Sequence, residues 1–160
     1  MQLTRDQIML RTWYGWPKET VPFAKAKFYN AREGAVVDDP RHGYRCDAAG
    51  FVSMAWGIPL FAPHSYGGLT TVTLLTDGWC LEIPGSELQP GDAIGLMGPN
   101  TMDSDGGVVG IFEGWLEDNP GHGYALVWEL LPGSSPGPCR KARFFDFRWH
   151  AYRFRDLIAD

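Results

Sequence analysis

A chain of 160 residues with a net charge of −5 and no basic run has the length of one domain with a real core, and its charge argues against nucleic acid or an anionic membrane as partner. No apolar run approaches a membrane span. Met1-Gln2-Leu3-Thr4-Arg5-Asp6 carries an acid and leads into no apolar stretch, so no signal peptide is expected.

Three cysteines, Cys46, Cys80 and Cys139, are too few and too odd in number for a disulfide framework. No Cys-x-x-Cys or Cys/His cluster marks a zinc site. Reduced structural thiols are expected, in a chain made in a cytoplasm, with no metal and no cofactor. Seven tryptophans suggest a well-filled core or an aromatic groove.

Thr4-Arg5-Asp6-Gln7 has the capping-box pattern, with Leu3 and Ile8 at the staple positions. A helix from Arg5 to Tyr14 is expected, with Leu10 and Trp13 as further core candidates. Gly15-Trp16-Pro17 breaks it, and Val21-Pro22-Phe23 reads as extended because a residue before proline avoids the helical region. Residues 30–43, rich in Gly, Asp and Pro, read as a surface loop holding a solvated His42.

Tyr44-Arg45-Cys46 reads as a short loop that feeds a helix capped by Asp47. From Ala48 to Trp56, Phe51, Val52, Ala55 and Trp56 recur at helical spacing. Gly57 can take the left-handed conformation that ends a helix, and Pro59 prevents continuation. Pro59 to Gly68 reads as loop. Leu88-Gln89-Pro90-Gly91-Asp92 is a turn in which proline presets the bend, glycine supplies positive φ, and a strand can follow.

Asp103 to Gly107 is a turn-rich link. Val108 to Leu116 reads as a strand, Asp118-Asn119-Pro120-Gly121 as a turn, and Gly123 to Leu131 as the antiparallel return. Pro132 to Pro138 is a loop by composition. Phe144 to Phe154 is aromatic and basic, and its arginines read as the guard of a strand edge. With no internal repeat and no second domain, residues 1–160 form a single α+β domain: N-terminal helices packed on a central antiparallel sheet from the C-terminal half.

The stretch Tyr44, Arg45, Asp47, Gly50, Phe51, Val52, Ala55 and Trp56 resembles the nucleophile helix of the NlpC/P60 cysteine peptidases, papain-like enzymes that cleave peptidoglycan stem peptides. The Leu88-to-Asp92 turn and the ending Tyr152-Arg153-Phe154-Arg155 resemble the same family in its actinobacterial form. The likeness runs in order from about Trp13 to Asp156. It implies the papain-like NlpC/P60 fold.

The same resemblance puts Ala48 where the nucleophilic Cys would stand and Ala49 where its Ser neighbour would stand. The general-base His falls on Val108, or on Gly107 if the alignment slips by one residue. A peptidase of this type needs a thiol at a helix N-terminus, where the dipole lowers its pKa. It also needs an imidazole within reach and a polar group to orient that imidazole. Neither thiol nor imidazole is present at the matching positions. Tyr44, Asp47, Gly50, Trp56 and Glu129 remain as groove or structural residues, Glu129 in the region of the orienting group but with nothing to orient.

Cys46 precedes Ala48 by two residues, a turn of roughly 200° were both helical, so it reads as a small buried side chain. His64, His122 and His150 have no support as a base. Loss of the Cys, its Ser neighbour and the His together points to natural decay rather than one engineered change.

The expectation is a pseudoenzyme of the cysteine peptidase class. It would be a non-catalytic structural or peptidoglycan-recognition component of a bacteriophage tail tip, made in the host cytoplasm and located in the virion. Its partners would be other phage tail proteins or peptidoglycan. The alternatives are an active cell-wall peptidase or amidase using Cys46 as a displaced nucleophile, and a small-molecule or lipid binder at the apolar site left by Ala48, Ala49 and Val108.

Overall fold

The first helix, α1 (Arg5–Tyr14), has the span its caps dictate. The Thr4 side chain accepts from the Gln7 N–H, and Gln7 accepts from the Thr4 N–H, which satisfies two of the orphan donors of the first turn. In the computed structural model, residues 2–59, 69–97, 107–117, 123–133 and 137–158 are described. Leu3 and Ile8 are buried in one apolar cluster. Leu10 is not: it is half exposed. The inward face of α1 is Ile8, Met9 and Thr12, and Thr12 returns its hydroxyl to the Ile8 carbonyl at 2.8 Å. Trp13 is half-buried, and its indole N–H donates to Glu113 at 2.8 Å.

Residues 30–43 are not a plain loop. Strand β1 (Ala24–Asn30) pairs with β2 (Ala35–Val37) and, on its other side, with β3 (Tyr44–Cys46), forming a three-stranded sheet of order β2-β1-β3. Asn30 makes the hairpin by accepting from the N–H groups of Arg32 and Glu33, and Gly34 takes φ +67, the region that favours glycine. The hairpin is largely exposed, so it lacks the alternation of apolar residues that marks a strand in sequence. Tyr44-Arg45-Cys46 is likewise a strand rather than a loop.

Helix α2 (Ala48–Ala55) follows, ending at Trp56 with Gly57 at φ +65. Helix α3 (Thr71–Thr76) carries its own capping box between Thr70 and Thr73. The remaining strands are β4 (Cys80–Ile83), β5 (Ala93–Met97), β6 (Gly107–Trp115), β7 (Gly123–Glu129), β8 (Cys139–Phe145) and β9 (His150–Phe154). They form an antiparallel sheet of order β4-β9-β5-β6-β7-β8. The Leu88-to-Asp92 turn leads into β5 as expected, with Gly91 at φ +96. The β6–β7 pair is antiparallel as expected, with a bulge between Phe112 and Gly114 and with β7 ending at Glu129.

The C-terminal arginines do not guard an edge. β9 lies between β4 and β5, and the edges of the sheet are β4 and β8. A strand inside a sheet can carry Arg153 because a buried carboxylate, Asp92, receives it at 2.9 and 3.1 Å. One sheet face, with Ala93, Val109, Ile111, Tyr152 and Phe154, shares the main core with the helices. Ile94, Phe112, Ala125, Val127, Phe145 and Ala151 form a second cluster on the alternate residues. The protein is therefore α+β and dominated by sheet. Among the described residues, no helix is long and apolar enough to cross a membrane.

Candidate functional site

The first turn of α2 is built by its own cap. Asp47 is extended at φ −143 and accepts the Gly50 N–H at 2.9 Å through one carboxylate oxygen. The other oxygen accepts from Arg45 Nε at 2.6 Å. Gly50 is required by close approach: a Cβ built there would lie 1.7 Å from the Arg45 carbonyl oxygen. The helix start is thus pressed onto the backbone of β3.

Two further side chains brace this frame. The buried Tyr44 hydroxyl donates to the Ile58 carbonyl at 3.0 Å, tying β3 to the far end of α2, and burial pushes its pKa up. Trp56 donates its indole N–H to the Gly91 carbonyl at 3.0 Å and stacks on Phe154 with ring centres 5.5 Å apart. The helix is therefore anchored to the Pro90-Gly91 turn and to β9.

Inside this frame the two residues of the first turn carry only methyl groups. Ala48 and Ala49 are fully buried in the main core, and Val108, opposite Leu96 on β5, is buried in the same cluster. The alternative register, with Gly107 at the His position, has no room for an imidazole. A Cβ on Gly107 would lie 2.4 Å from Thr71 Cγ2 on α3.

Glu129, 1% exposed, lies on β7 beside Gly110 of β6, where a Cβ would come within 2.7 Å of Glu129 Cγ. By strand alternation Val108 and Gly110 share a face. The carboxylate receives a two-pronged bond from Arg143, Nε to Oε2 at 2.7 Å and Nη2 to Oε1 at 3.1 Å. Burial pushes its pKa up, and Arg143 opposes that rise. Its partner is a guanidinium, and it closes a buried ion pair.

Cys46 lines a cavity of about 120 Å³ beside the α2 cap, together with Phe23 to Phe28, Arg45 and Asp47. The cavity exists because β1 bulges there: the register jumps from Ala24↔Cys46 to Phe28↔Arg45, and Ala26 adopts φ +59, a left-handed conformation uncommon outside glycine. Nothing in the sequence flagged this bulge. Burial, and secondly the Asp47 carboxylate, push the Cys46 thiol up to about 12. Burial does the same to Cys80.

Neither described histidine lines this cavity. His42 meets Asp39 at 3.1 Å on the turn Pro40–His42, and His150 meets Glu82 at 2.9 Å across β4 and β9. His64 and His122 lie outside the described residues, as do 60–68, 103–106, 118–121 and 134–136 of the expected loops and turns. Among the described residues, no group of three His, Cys, Asp or Glu side chains could hold a metal ion.

The site thus unites an intact, capped helix start, a buried apolar floor and a protonated thiol off to one side. It can present shape and hydrogen bonds, and its one described thiol, Cys46, is pushed up to about 12 by burial and the Asp47 carboxylate. Comparison with protein-family models, with characterised proteins and with solved structures found no match to this chain.

Proposed function

We propose that this chain is an NlpC/P60-like domain whose catalytic site has decayed, and that it acts as a non-catalytic structural or peptidoglycan-recognition component of a bacteriophage tail tip. Its compartment would be the virion, and its partners would be other tail proteins or the cell wall. The observation that carries the reading is Ala48. The residue at the dipole-favoured first turn of α2, inside a motif that otherwise keeps Tyr44, Asp47, Gly50 and Trp56, ends in a buried methyl group. A methyl group has no lone pair with which to attack a carbonyl, and Val108 has no nitrogen with which to take a proton.

A second reading, a peptidase using Cys46, is favoured by the cavity that Cys46 lines. Its chemistry is opposed by the thiol's pKa of about 12, which leaves on the order of one thiolate in 10⁵ at pH 7. Purified cell wall and a stem-peptide fragment, incubated with the natural chain and with an Ala48→Cys/Val108→His variant, separate the readings. The degenerate-domain reading expects an inert natural chain that sediments with cell wall or with tail proteins, and a double variant that gains turnover. Turnover by the natural chain, abolished by Cys46→Ser and accompanied by rapid alkylation of Cys46 at neutral pH, would replace it with the second reading.

A further inference from the structure

The turn residue Asp92 and the C-terminal arginines converge at a place that the reading above does not use. Asp92, 1% exposed, accepts from Arg5 Nη1 at 3.0 Å, from Arg153 Nε at 3.1 Å and Nη2 at 2.9 Å, and from the Gln89 N–H at 2.9 Å. It therefore holds two guanidinium groups in fixed orientation from behind. Arg5 opens α1, and Arg153 stands opposite Leu81 on the edge strand β4.

In front of them lies a pocket of about 430 Å³. Its polar wall is Arg5, Arg153, Arg155 and Gln89, and its apolar wall is Leu81, Phe154 and Leu157. Among the described residues, no carboxylate lines it. Arg155 is held at one end by the Gly78 carbonyl at 2.8 Å and lies over the Trp79 ring at 5.6 Å. Arg5 spends only Nη1 on the protein, and Arg153 and Arg155 each keep one terminal nitrogen without an acceptor among the described residues.

We propose that this pocket is a binding site for an organic carboxylate with an apolar body. Guanidinium groups held rigid by a buried acid lose little freedom on meeting a second oxyanion, and the unspent N–H groups of Arg5, Arg153 and Arg155 can each give a carboxylate oxygen a charge-assisted hydrogen bond. The carboxylates near these arginines, the buried Asp92 behind Arg5 and Arg153, Glu87 near Arg153 and Asp156 3.4 Å from Arg155, stand outside the pocket lining, and the unspent guanidinium N–H groups are what an entering oxyanion would meet. The apolar wall selects against a bare inorganic ion. Leu81, 65% exposed on the edge strand, would be covered by the ligand's apolar part. Two sources have this chemistry: the C-terminal residue of a polypeptide and a free carboxylic acid. The site lies apart from Ala48, and the proposal stands whether or not the degenerate-domain reading holds.

The test is a titration of the isotope-labelled whole chain, followed by NMR at the backbone amides and arginine Nε–H groups. The probes are N-acetyl-leucine, N-acetyl-leucinamide, inorganic phosphate and a tetrapeptide ending in leucine. N-acetyl-leucine should shift the signals of Arg5, Arg153 and Arg155, with the amide and phosphate each at least about 10-fold weaker, the ratio expected from one lost charge-assisted contact. Arg155→Gln and Leu81→Ser both alter exposed side chains outside the Asp92 clamp, and each should weaken binding several-fold with the amide spectrum otherwise unchanged. The tetrapeptide binding at least as well as N-acetyl-leucine assigns the pocket to chain termini, and weaker binding assigns it to small acids. Equal shifts from N-acetyl-leucinamide, phosphate binding as tight as N-acetyl-leucine, or indifference to both substitutions would overturn the proposal.

Discussion

Gly50→Ala sets two effects of opposite sign against each other. Helix propensity favours alanine over glycine by about 1 kcal/mol in a helix interior, so by that rule the variant gains stability. The packing of α2 on β3 says otherwise. The new Cβ would lie 1.7 Å from the Arg45 carbonyl oxygen and 2.5 Å from its carbon, and both are backbone atoms with no rotamer to turn away.

Contact at about 3.5 Å requires the helix start and β3 to part by about 1.8 Å. That movement strains the Asp47-to-Gly50 cap bond, which contributes about 1 kcal/mol. It also pulls the buried Tyr44 hydroxyl from the Ile58 carbonyl, at about 1–3 kcal/mol for a stranded donor, on top of overpacking of about 1–3 kcal/mol. Sterics outweigh propensity, and the net expectation is a loss on the order of 2–6 kcal/mol.

Urea unfolding followed by tryptophan fluorescence measures it, with Gly34→Ala as control. Gly34 has φ +67 and nothing within 4 Å of a built Cβ, so that variant should lose only about 1–2 kcal/mol. A Gly50→Ala protein as stable as the natural chain, or more stable, would refute the close approach of α2 to β3.

Asp92→Ala strands the guanidinium groups of Arg5 and Arg153, which are 15% and 29% exposed. Partial solvation moderates the cost of breaking a buried pair to about 2–4 kcal/mol, and a loss under 1 kcal/mol in the same urea assay would contradict the clamp. Glu129 gives a pH dependence. Its carboxyl is raised from the ordinary 4.5 by burial, with Arg143 opposing, so between the unfolded and folded values the native state binds more protons than the unfolded chain. Its contribution to stability is greatest below 4.5 and declines as pH rises through the folded value. Glu129→Gln should remove that part of the slope from a series of melting temperatures, and an unchanged slope would mean that Glu129 is not the titrating group.

Local signals in the chain determined the span of α1 and, but for Trp56 serving as its C-cap, that of α2. The Thr4–Gln7 capping box, the Asp47 cap and the left-handed Gly57 each act within a few positions, so their partners are legible side by side. The Pro90-Gly91 turn and the β6–β7 hairpin are of the same kind. That the first turn of α2 begins with an alanine was also legible, because Ala48 is read directly from the sequence.

What tertiary structure alone decided depends on which distant segments meet. Leu10 turned outward because the core lies under Met9 and Thr12 instead. The β1–β2 hairpin escaped notice because an exposed strand needs no apolar alternation. That Gly107 has no space for a side chain follows from Thr71, on a helix from another part of the chain. Arg153 seemed suited to an edge, yet β9 is interior, since its charge is met by Asp92, 61 positions away, which also holds Arg5, 87 positions away. Caps and turns are encoded by neighbours in sequence. The neutralisation of a buried charge is encoded by neighbours in space, and only the folded chain brings those together.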